Sequence, residues 1–191
     1  ALLGAPEYRG RVDWARTHLF WGDERAVSIA DPQSNYRMVS ETLLSRVTFP
    51  EENIHRVRTE LPADEAASQY ERELREFFGG PQRFHLALLG MGADGHTASL
   101  FPGSELLRET GRLVAATSGQ TPRRITLTLP ALNAAVEVLF LVSGAAKAPA
   151  LAAALEGPPD PDLPAALVQP ASGRVAWLVD RAAAAYLRTY A

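Results

Sequence analysis

Two ionisable residues, Asp94 and His96, lie in a glycine-rich loop that follows a short apolar segment. Residues 84–89 are almost all apolar, which is typical of a strand buried on both faces in the middle of a parallel sheet. Residues 90–95 include three glycines, which allow backbone conformations that other residues resist. Because ligands of open α/β sheets bind beyond the carboxyl ends of the strands, this loop is the strongest candidate active site.

Two further groups of charged residues follow predicted strands. Residues 17–21 are typical of a strand, and Asp23, Glu24 and Arg25 come directly after it. Lys147 is the only lysine in the chain, and it follows a strongly apolar strand at residues 136–142. Small residues at a strand end, a helix N-terminus and a compact ammonium suit a phosphate site. An ordinary turn with an exposed lysine explains the same pattern, and so both interpretations stay open here.

The glycine loop fits two interpretations besides an active site. It matches the G-x-G-x-x-G pattern of dinucleotide-binding folds, which should open a long helix and be followed by an acidic residue that ends a second strand. Here Pro102 and Gly103 interrupt the chain soon after the loop, and no strand ends in an acidic residue at the required distance. A plain structural turn is the other interpretation, but it does not explain an ionisable pair among the glycines.

The sequence of residues 90–103, GMGADGHTASLFPG, closely resembles the signature of 6-phosphogluconolactonases. The related glucosamine-6-phosphate deaminases share the Asp-Gly-His core and then continue differently, so residues 97–102 favour the lactonases. Residues 20–25, FWGDER, and residues 34–36, Ser-Asn-Tyr, resemble a second signature of this family. The resemblance implies hydrolysis of 6-phospho-D-glucono-1,5-lactone to 6-phosphogluconate in the pentose phosphate pathway. The alternative is a sugar-phosphate isomerase or deaminase that acts on glucosamine 6-phosphate.

We expect particular roles for these residues, proposed from the residue types together with the resemblance. Neutral His96 would act as the general base that takes a proton from the attacking water, and Asp94 would orient its imidazole. Backbone N–H groups of the glycine loop would stabilise the oxyanion. Lys147 and Arg124 would hold the phosphate, and Arg25 with its acidic neighbours would meet the sugar. The expected substrate-binding set is Asp23, Glu24, Arg25, Gly92, Arg124 and Lys147.

Other chemistries use the same residues. A metal hydrolase could gather Asp23, Glu24, Asp94 and His96, although no helical pair such as H-E-x-x-H supports it. A serine hydrolase could use Ser99 with His96, but the G-x-S-x-G elbow is missing. A non-catalytic sugar-phosphate binder would keep the basic residues without needing the Asp94–His96 pair. Lactone hydrolysis itself requires no redox cofactor or essential metal, and we expect neither.

Strands that alternate with helices predict an α/β fold with a doubly wound, mostly parallel sheet and helices on both faces, a Rossmann-like class. The helices are predicted from Ser34 or Asn35 to about Val47, from Pro62 to Phe78, and after Lys147 to about Leu155. A closing helix is predicted from Asp180. The strand that carries Arg124 lies at residues 123–130. Every group of candidate residues therefore follows or lies on a predicted strand.

Composition limits the class of protein. With 191 residues, 47% of them hydrophobic, one domain spanning residues 1–191 is expected, without the first strand and Gly-Gly-Ser-Thr-Pro-like loop that the family carries. A net charge of −3 argues against broad nucleic-acid binding, and no apolar run reaches the roughly 18 residues of a membrane helix. We expect a cytoplasmic protein with a small sugar-phosphate substrate, as a monomer or small homo-oligomer.

Overall fold

The fold consists of short strands and helices that alternate along the chain. A computed structural model describes residues 3–81 and 83–188. The strands in those residues are β1 (Leu19–Phe20), β2 (Asp23–Arg25), β3 (Ile54–His55), β4 (Ala87–Gly90), β5 (Val114–Ala116), β6 (Arg124–Leu127), β7 (Glu137–Val142) and β8 (Arg174–Val179). The α-helices are α1 (Pro6–Arg9), α2 (Asn35–Thr42), α3 (Ala63–Phe78), α4 (Leu129–Asn133) and α5 (Ala148–Glu156).

The strands form three hydrogen-bonded sheets. Strands β4, β7 and β8 are parallel in that order, and β1 pairs with β3, also in parallel. Strands β2, β6 and β5 form an antiparallel sheet. Because β4, β7 and β8 run in one direction, the segments that follow Gly90, Val142 and Val179 leave the same edge of the sheet. The predicted Rossmann-like α/β class, with mostly parallel strand pairing, is confirmed.

Charged residues 23–25 are placed differently from the sequence prediction. They were expected as a cluster after a strand spanning residues 17–21, whereas β1 covers only Leu19–Phe20 and residues 23–25 form strand β2. Strand β2 pairs with β6, so that Asp23 lies opposite Thr126 and Arg25 lies opposite Arg124. This pairing brings residues 23–25 next to Arg124, although about half of the chain separates the two strands.

The helices agree best with the prediction where local signals define them. Helix α3 begins after Pro62 and ends at Gly79, which has a left-handed φ of 61°. Helix α2 begins after Ser34, whose hydroxyl accepts a hydrogen bond from the Arg37 N–H at 3.2 Å. It ends at Thr42 rather than near Val47. The predicted closing helix from Asp180 is a 3₁₀ turn at Ala183–Tyr186, and residues 189–191 lie outside the described residues.

The parallel sheet has one buried face and one open face. Val138 and Phe140 of β7 are fully buried, and the Phe140 ring stacks on Trp177 of β8 at 3.9 Å. On the other face Leu88, Leu141 and Leu178 are 51–58% exposed. The prediction that residues 84–89 form a strand buried on both faces is therefore wrong. The strand starts at Ala87, and β4 is one edge of the sheet in the described part of the chain.

Across residues 3–81 and 83–188, no helix combines the length and the apolar character that crossing a bilayer requires.

Candidate active site

The loop after β4 is folded tightly around its own glycines. The Gly92 N–H donates to the His96 carbonyl at 2.7 Å, and the Gly95 N–H donates to the Gly92 carbonyl at 3.1 Å. Gly95 has a φ of 82°, which side chains rarely tolerate. A β-carbon on Gly92 would overlap the His96 ring and the Asp94 carboxylate. The absence of a side chain at position 92 thus leaves room for the ionisable pair.

Asp94 and His96 are joined by a short hydrogen bond. The His96 Nδ1 lies 2.6 Å from the Asp94 Oδ1, which also accepts from the His96 backbone N–H at 3.2 Å. Partial burial acts to raise the pKa of Asp94, but the hydrogen bonds from the His96 side chain and backbone outweigh it and lower that pKa. Because an ionised carboxylate only accepts hydrogen bonds, we assign the proton of neutral His96 to its Nδ1. The Nε2 is left with a lone pair that can accept a proton.

The segment after His96 connects the parallel sheet to the antiparallel one. The Thr97 hydroxyl donates to the Gly90 carbonyl at 2.8 Å. The Ser99 N–H donates to the Thr126 hydroxyl at 3.1 Å, and the Ser99 hydroxyl donates to Asp23 at 2.6 Å. Leu100 is fully buried. These contacts fix the loop against both β4 and β6.

Asp23 is held in place by neutral groups and lies beside Arg124. Its Oδ1 accepts from the Asn35 side chain at 3.2 Å, and its Oδ2 accepts from Ser99. The same Oδ2 is 3.8 Å from Arg124 Nη1, which is an ion pair too long for a hydrogen bond. The Arg124 Nε is buried and has no hydrogen-bond partner. The side chain is partly exposed and makes no hydrogen bond with the described residues, so its terminal donors are available to an anion.

Glu24 lies inside the protein. Its side chain is buried, with 2% of the residue exposed, and its two oxygens accept from the backbone N–H groups of Arg25, Asn35 and Tyr36 at 2.7–2.8 Å. The Ser34 hydroxyl donates to it as well, at 3.2 Å. A carboxylate is favoured at a helix N-terminus, where backbone N–H groups lack helical partners. The structure thus uses Glu24 to anchor the start of α2.

Arg25 is half-buried next to Glu24. Its Nη1 donates to the Gln33 carbonyl at 2.6 Å, and its Nε is buried without a partner. The side chain is therefore fixed at one end of the guanidinium, while some of its donors remain for another group.

Lys147 lies at the edge of the parallel sheet where the His96 loop also begins. It ends a 3₁₀ turn at Ala145–Lys147, between β7 and α5. The start of α5 approaches the loop, because a β-carbon on Gly95 would lie 3.9 Å from the Ala150 Cβ. The ammonium group has no hydrogen bond or ion pair within residues 3–81 and 83–188, and no direct contact links it to His96.

Ser99 is part of the site in a way that sequence reasoning missed. It was considered only as a nucleophile beside His96, whereas the structure buries it completely and directs its hydroxyl to Asp23. The four residues considered for a metal site do not form one cluster, since Asp94 bonds His96, Asp23 bonds Ser99, and Glu24 caps α2. In the described residues no three histidine, aspartate or glutamate side chains gather in a metal-binding arrangement.

Phe101 is a residue of the site that the sequence analysis did not single out. Its ring centroid is 4.8 Å from the His96 ring and 5.6 Å from the Arg124 guanidinium carbon. The motif that contains Phe101 was recognised, but the contact of its ring with Arg124 depends on β6, a separate segment of the chain.

A Rossmann-like fold with a histidine–carboxylate pair and free cations at a sheet edge defines an α/β protein suited to acid–base chemistry on an anionic ligand. The sequence profile described as glucosamine-6-phosphate isomerases/6-phosphogluconolactonase matches residues 1–177. Human 6-phosphogluconolactonase is 44% identical over 183 residues, covering 93% of this chain and 71% of the human protein. The chain therefore belongs to the glucosamine-6-phosphate isomerase/6-phosphogluconolactonase family.

Solved structures agree with this assignment. A 6-phosphogluconolactonase from Thermotoga maritima is 41% identical, with a TM-score of 0.76 over 88% of this chain and 74% of that chain. A monomeric glucosamine-6-phosphate deaminase matches with a TM-score of 0.81 over 97% of this chain and 81% of that chain, at 22% identity. The second similarity concerns the fold alone, so it carries no information about the reaction.

Proposed function

We propose that this chain hydrolyses 6-phospho-D-glucono-1,5-lactone to 6-phosphogluconate, a step of the pentose phosphate pathway. The observation that carries the proposal is the 2.6 Å Asp94–His96 hydrogen bond, which leaves the Nε2 of a partly exposed imidazole to act as a base. The 44% identity to human 6-phosphogluconolactonase supports the same reaction.

The proposed reaction is a base-assisted attack of water on an ester carbonyl. The His96 Nε2 takes a proton from water as the water oxygen bonds to the lactone carbonyl carbon, and Asp94 stabilises the resulting imidazolium. The oxyanion then collapses, the ring C–O bond breaks, and the imidazolium returns its proton to the leaving oxygen. The N–H groups of Gly92 and Gly95 already donate within the loop. The Ala93 N–H, which makes no such bond, is therefore our candidate oxyanion donor.

Substrate binding is assigned to the cations that retain free donors. Lys147 and Arg124 would hold the phosphate, since charge-assisted hydrogen bonds to phosphate are the strongest kind available. Arg25 would meet the sugar ring through the guanidinium donors that Gln33 does not take up. Asp23 would position Arg124, and Glu24 would act through α2, because its oxygens are already fully engaged.

Several features of this proposal remain predictions from the sequence. These are the cytoplasmic location, the monomeric or small homo-oligomeric state, and a reaction without cofactor or metal. Likewise, a single domain is a prediction for residues 1–191.

The reaction class can be tested by offering two substrates to the same preparation. We expect the protein to accelerate the opening of 6-phosphogluconolactone, followed as acid release above the spontaneous rate, and to leave glucosamine 6-phosphate intact. Residues 97–102 follow the lactonase pattern, which is the reason for this expectation. Ammonia release from the amino sugar without lactone turnover would assign the chain to the deaminases. Activity that a chelator abolishes and a divalent metal restores would favour a metal hydrolase.

A further inference from the structure

Phe101 contacts both the proposed base and the proposed phosphate ligand. The imidazole of His96 is tilted by 40° against its ring, with a centroid distance of 4.8 Å. The guanidinium of Arg124 lies over the same ring at 5.6 Å, within the range of a cation–π interaction. Phe101 is half-buried, so its ring lies at the edge of the site and is not fully enclosed in the core.

The ring of Phe101 is mounted on a rigid part of the chain. Its neighbour Leu100 is fully buried, and Ser99 is hydrogen-bonded through both its backbone and its hydroxyl. The Ser99 N–H contacts Thr126, which lies two residues beyond Arg124 on β6. The backbone that carries Phe101 and the strand that carries Arg124 are thus fixed to each other.

Arg124 has few other constraints. Its only other charged contact is the 3.8 Å ion pair with Asp23, and its side chain makes no hydrogen bond to any residue that the structure describes. A guanidinium without fixed partners can bind an anion in several orientations unless a neighbouring group restricts it. Here the ring face of Phe101 adds to the weak constraint from the Asp23 ion pair.

We propose that Phe101 is a positioning residue that sets the separation between the base His96 and the anion-binding Arg124. It thereby selects substrates in which the phosphate and the reacting carbonyl carbon are correctly spaced. The inference rests on the proposed function, and it goes further by naming the residue that connects phosphate recognition to catalysis. A phosphorylated lactone would gain from this connection, whereas an unphosphorylated lactone would not.

The test compares Phe101→Leu, which removes the ring, with Phe101→Tyr, which retains it. Steady-state rates are measured on 6-phosphogluconolactone and on unphosphorylated gluconolactone. For the phosphorylated substrate we expect kcat/KM to fall about three- to thirtyfold in Phe101→Leu, the range of a cation–π contact. The loss on the unphosphorylated substrate should be much smaller, and Phe101→Tyr should remain near the wild type. Phe101→Met, which fills the space without a ring, replaces the leucine variant if that variant does not fold.

A matched control removes a ring elsewhere. Phe49 is half-buried against Trp14, with ring centroids 5.7 Å apart, and it lies outside the site. Phe49→Leu should leave the preference for the phosphorylated substrate unchanged. The control separates a change in the site from a general loss of packing.

A double-mutant cycle that combines Phe101→Leu with Arg124→Ala measures the interaction between these two residues. If Phe101 acts by directing Arg124, the leucine substitution should no longer affect the preference for phosphate once the arginine is gone. An equal loss on both substrates, or a loss of the same size in the Arg124→Ala background, would overturn the proposal and leave the lactonase assignment intact.

A wild-type protein without lactone turnover would instead defeat the proposed function. In that case the same cycle is measured by calorimetry with 6-phosphogluconate as the probe. Non-additive losses of affinity would then support the role of Phe101, whereas additive losses, or no binding, would reject it.

Discussion

The spacing of two residues between Asp94 and His96 decides which imidazole nitrogen is left for chemistry. The short side chain of Asp94 turns back to the Nδ1 and also accepts from the His96 backbone N–H, so both residues are held in one small ring of contacts. A carboxylate on Nδ1 both fixes the tautomer and stabilises the protonated imidazole that forms during the reaction. The loop needs Gly92 for this arrangement, because a side chain there would overlap the pair.

Lys147 provides the clearest prediction for a single cation. We expect Lys147→Ala to raise the KM for 6-phosphogluconolactone about ten- to a hundredfold, since a charge-assisted hydrogen bond contributes about 1.5–3 kcal/mol. The KM for unphosphorylated gluconolactone should change much less. Lys147→Arg should recover only part of the loss, because a planar guanidinium does not occupy the site of a compact ammonium. Steady-state kinetics on both substrates provides the measurement.

A distant cation serves as the control for general electrostatics. Arg72 is exposed on α3 and makes no hydrogen bond or ion pair with the residues described. Arg72→Ala removes the same charge and should leave both KM values nearly unchanged. Equal losses on the two substrates in Lys147→Ala would show that the lysine has a structural or catalytic role instead.

The sequence predicts the contact between Asp94 and His96 better than it predicts the contacts of Glu24. Asp94 and His96 are close in the chain, so their pairing follows from local geometry. Glu24 was expected to touch substrate, yet it caps α2, because the N–H groups of Asn35 and Tyr36 take up its oxygens. Whether a carboxylate is free depends on such partners, and a pattern of residue types does not reveal them.

Among the elements, the antiparallel sheet matters most for the position of Arg124. Strand β5 pairs with β6 and is preceded by a turn that Glu109 organises. The Glu109 carboxylate accepts from the N–H groups of Thr110, Gly111 and Arg112 at 2.8–3.0 Å and from the Arg112 side chain. These hydrogen bonds, with those of the Arg112 and Gly111 N–H groups the strongest, lower the pKa of Glu109 to about 2.

That pKa leads to a prediction about stability and pH. A carboxyl with a lower pKa in the folded state stabilises the fold at pH values above its unfolded pKa, about 4.3. The contribution is lost as the pH falls towards 2. We therefore expect Glu109→Gln to lower the free energy of unfolding at pH 7 and to have little effect near pH 2. Urea unfolding of both proteins across this range provides the measurement.

The control substitution lies on an exposed helix position. Glu76 on α3 makes no hydrogen bond or ion pair with the described residues, and Glu76→Gln should cause little change at any pH. A constant difference between the wild type and Glu109→Gln from pH 7 to pH 2 would mean that the charge of Glu109 does not stabilise the turn.

Elements with local signals were predicted well, and elements that need a distant partner were not. Helix α3 has a proline before it, an apolar stripe that includes Tyr70 and Leu74, and a left-handed glycine after it. Strand β2 has no such signal, because its three charged residues become a strand only by pairing with β6. The bend before β2 also depends on a distant residue, since the Tyr70 hydroxyl bonds the backbone N–H and carbonyl of Trp21.

For the whole molecule, the open face of the parallel sheet leads to a stability prediction. Leu141 is 51% exposed on that face, whereas Leu151 on α5 is fully buried. Leu151→Ala should cost about 2–5 kcal/mol of unfolding free energy, the usual range for a leucine truncated in a core. Leu141→Ala should cost less than about 1 kcal/mol, because water already contacts the side chain. Denaturant unfolding at several protein concentrations measures both.

The paired variants also report on what surrounds this face in solution. If Leu141→Ala costs as much as Leu151→Ala, or if its effect grows with protein concentration, another polypeptide covers the face. The prediction of an open face would then be wrong.

The whole site draws on segments that are far apart in the chain. The base comes from the loop after β4, Arg124 from β6 and Lys147 from the turn before α5. The topology brings these segments to neighbouring sheet edges, and residues 97–101 connect the two sheets. The central claim is that this assembly hydrolyses a phosphorylated lactone with His96 as the base.

The most direct test is the pH dependence of kcat for wild type and His96→Asn, with the spontaneous opening of the lactone subtracted at every pH. Asparagine keeps the size and some hydrogen bonding of histidine but does not accept a proton near neutral pH. If His96 is the base, kcat should fall about 10²–10⁴-fold, substrate binding should be largely retained, and the rise in rate with pH expected of the wild type should be lost. An unchanged kcat with an intact rise would contradict it and move the base to another residue.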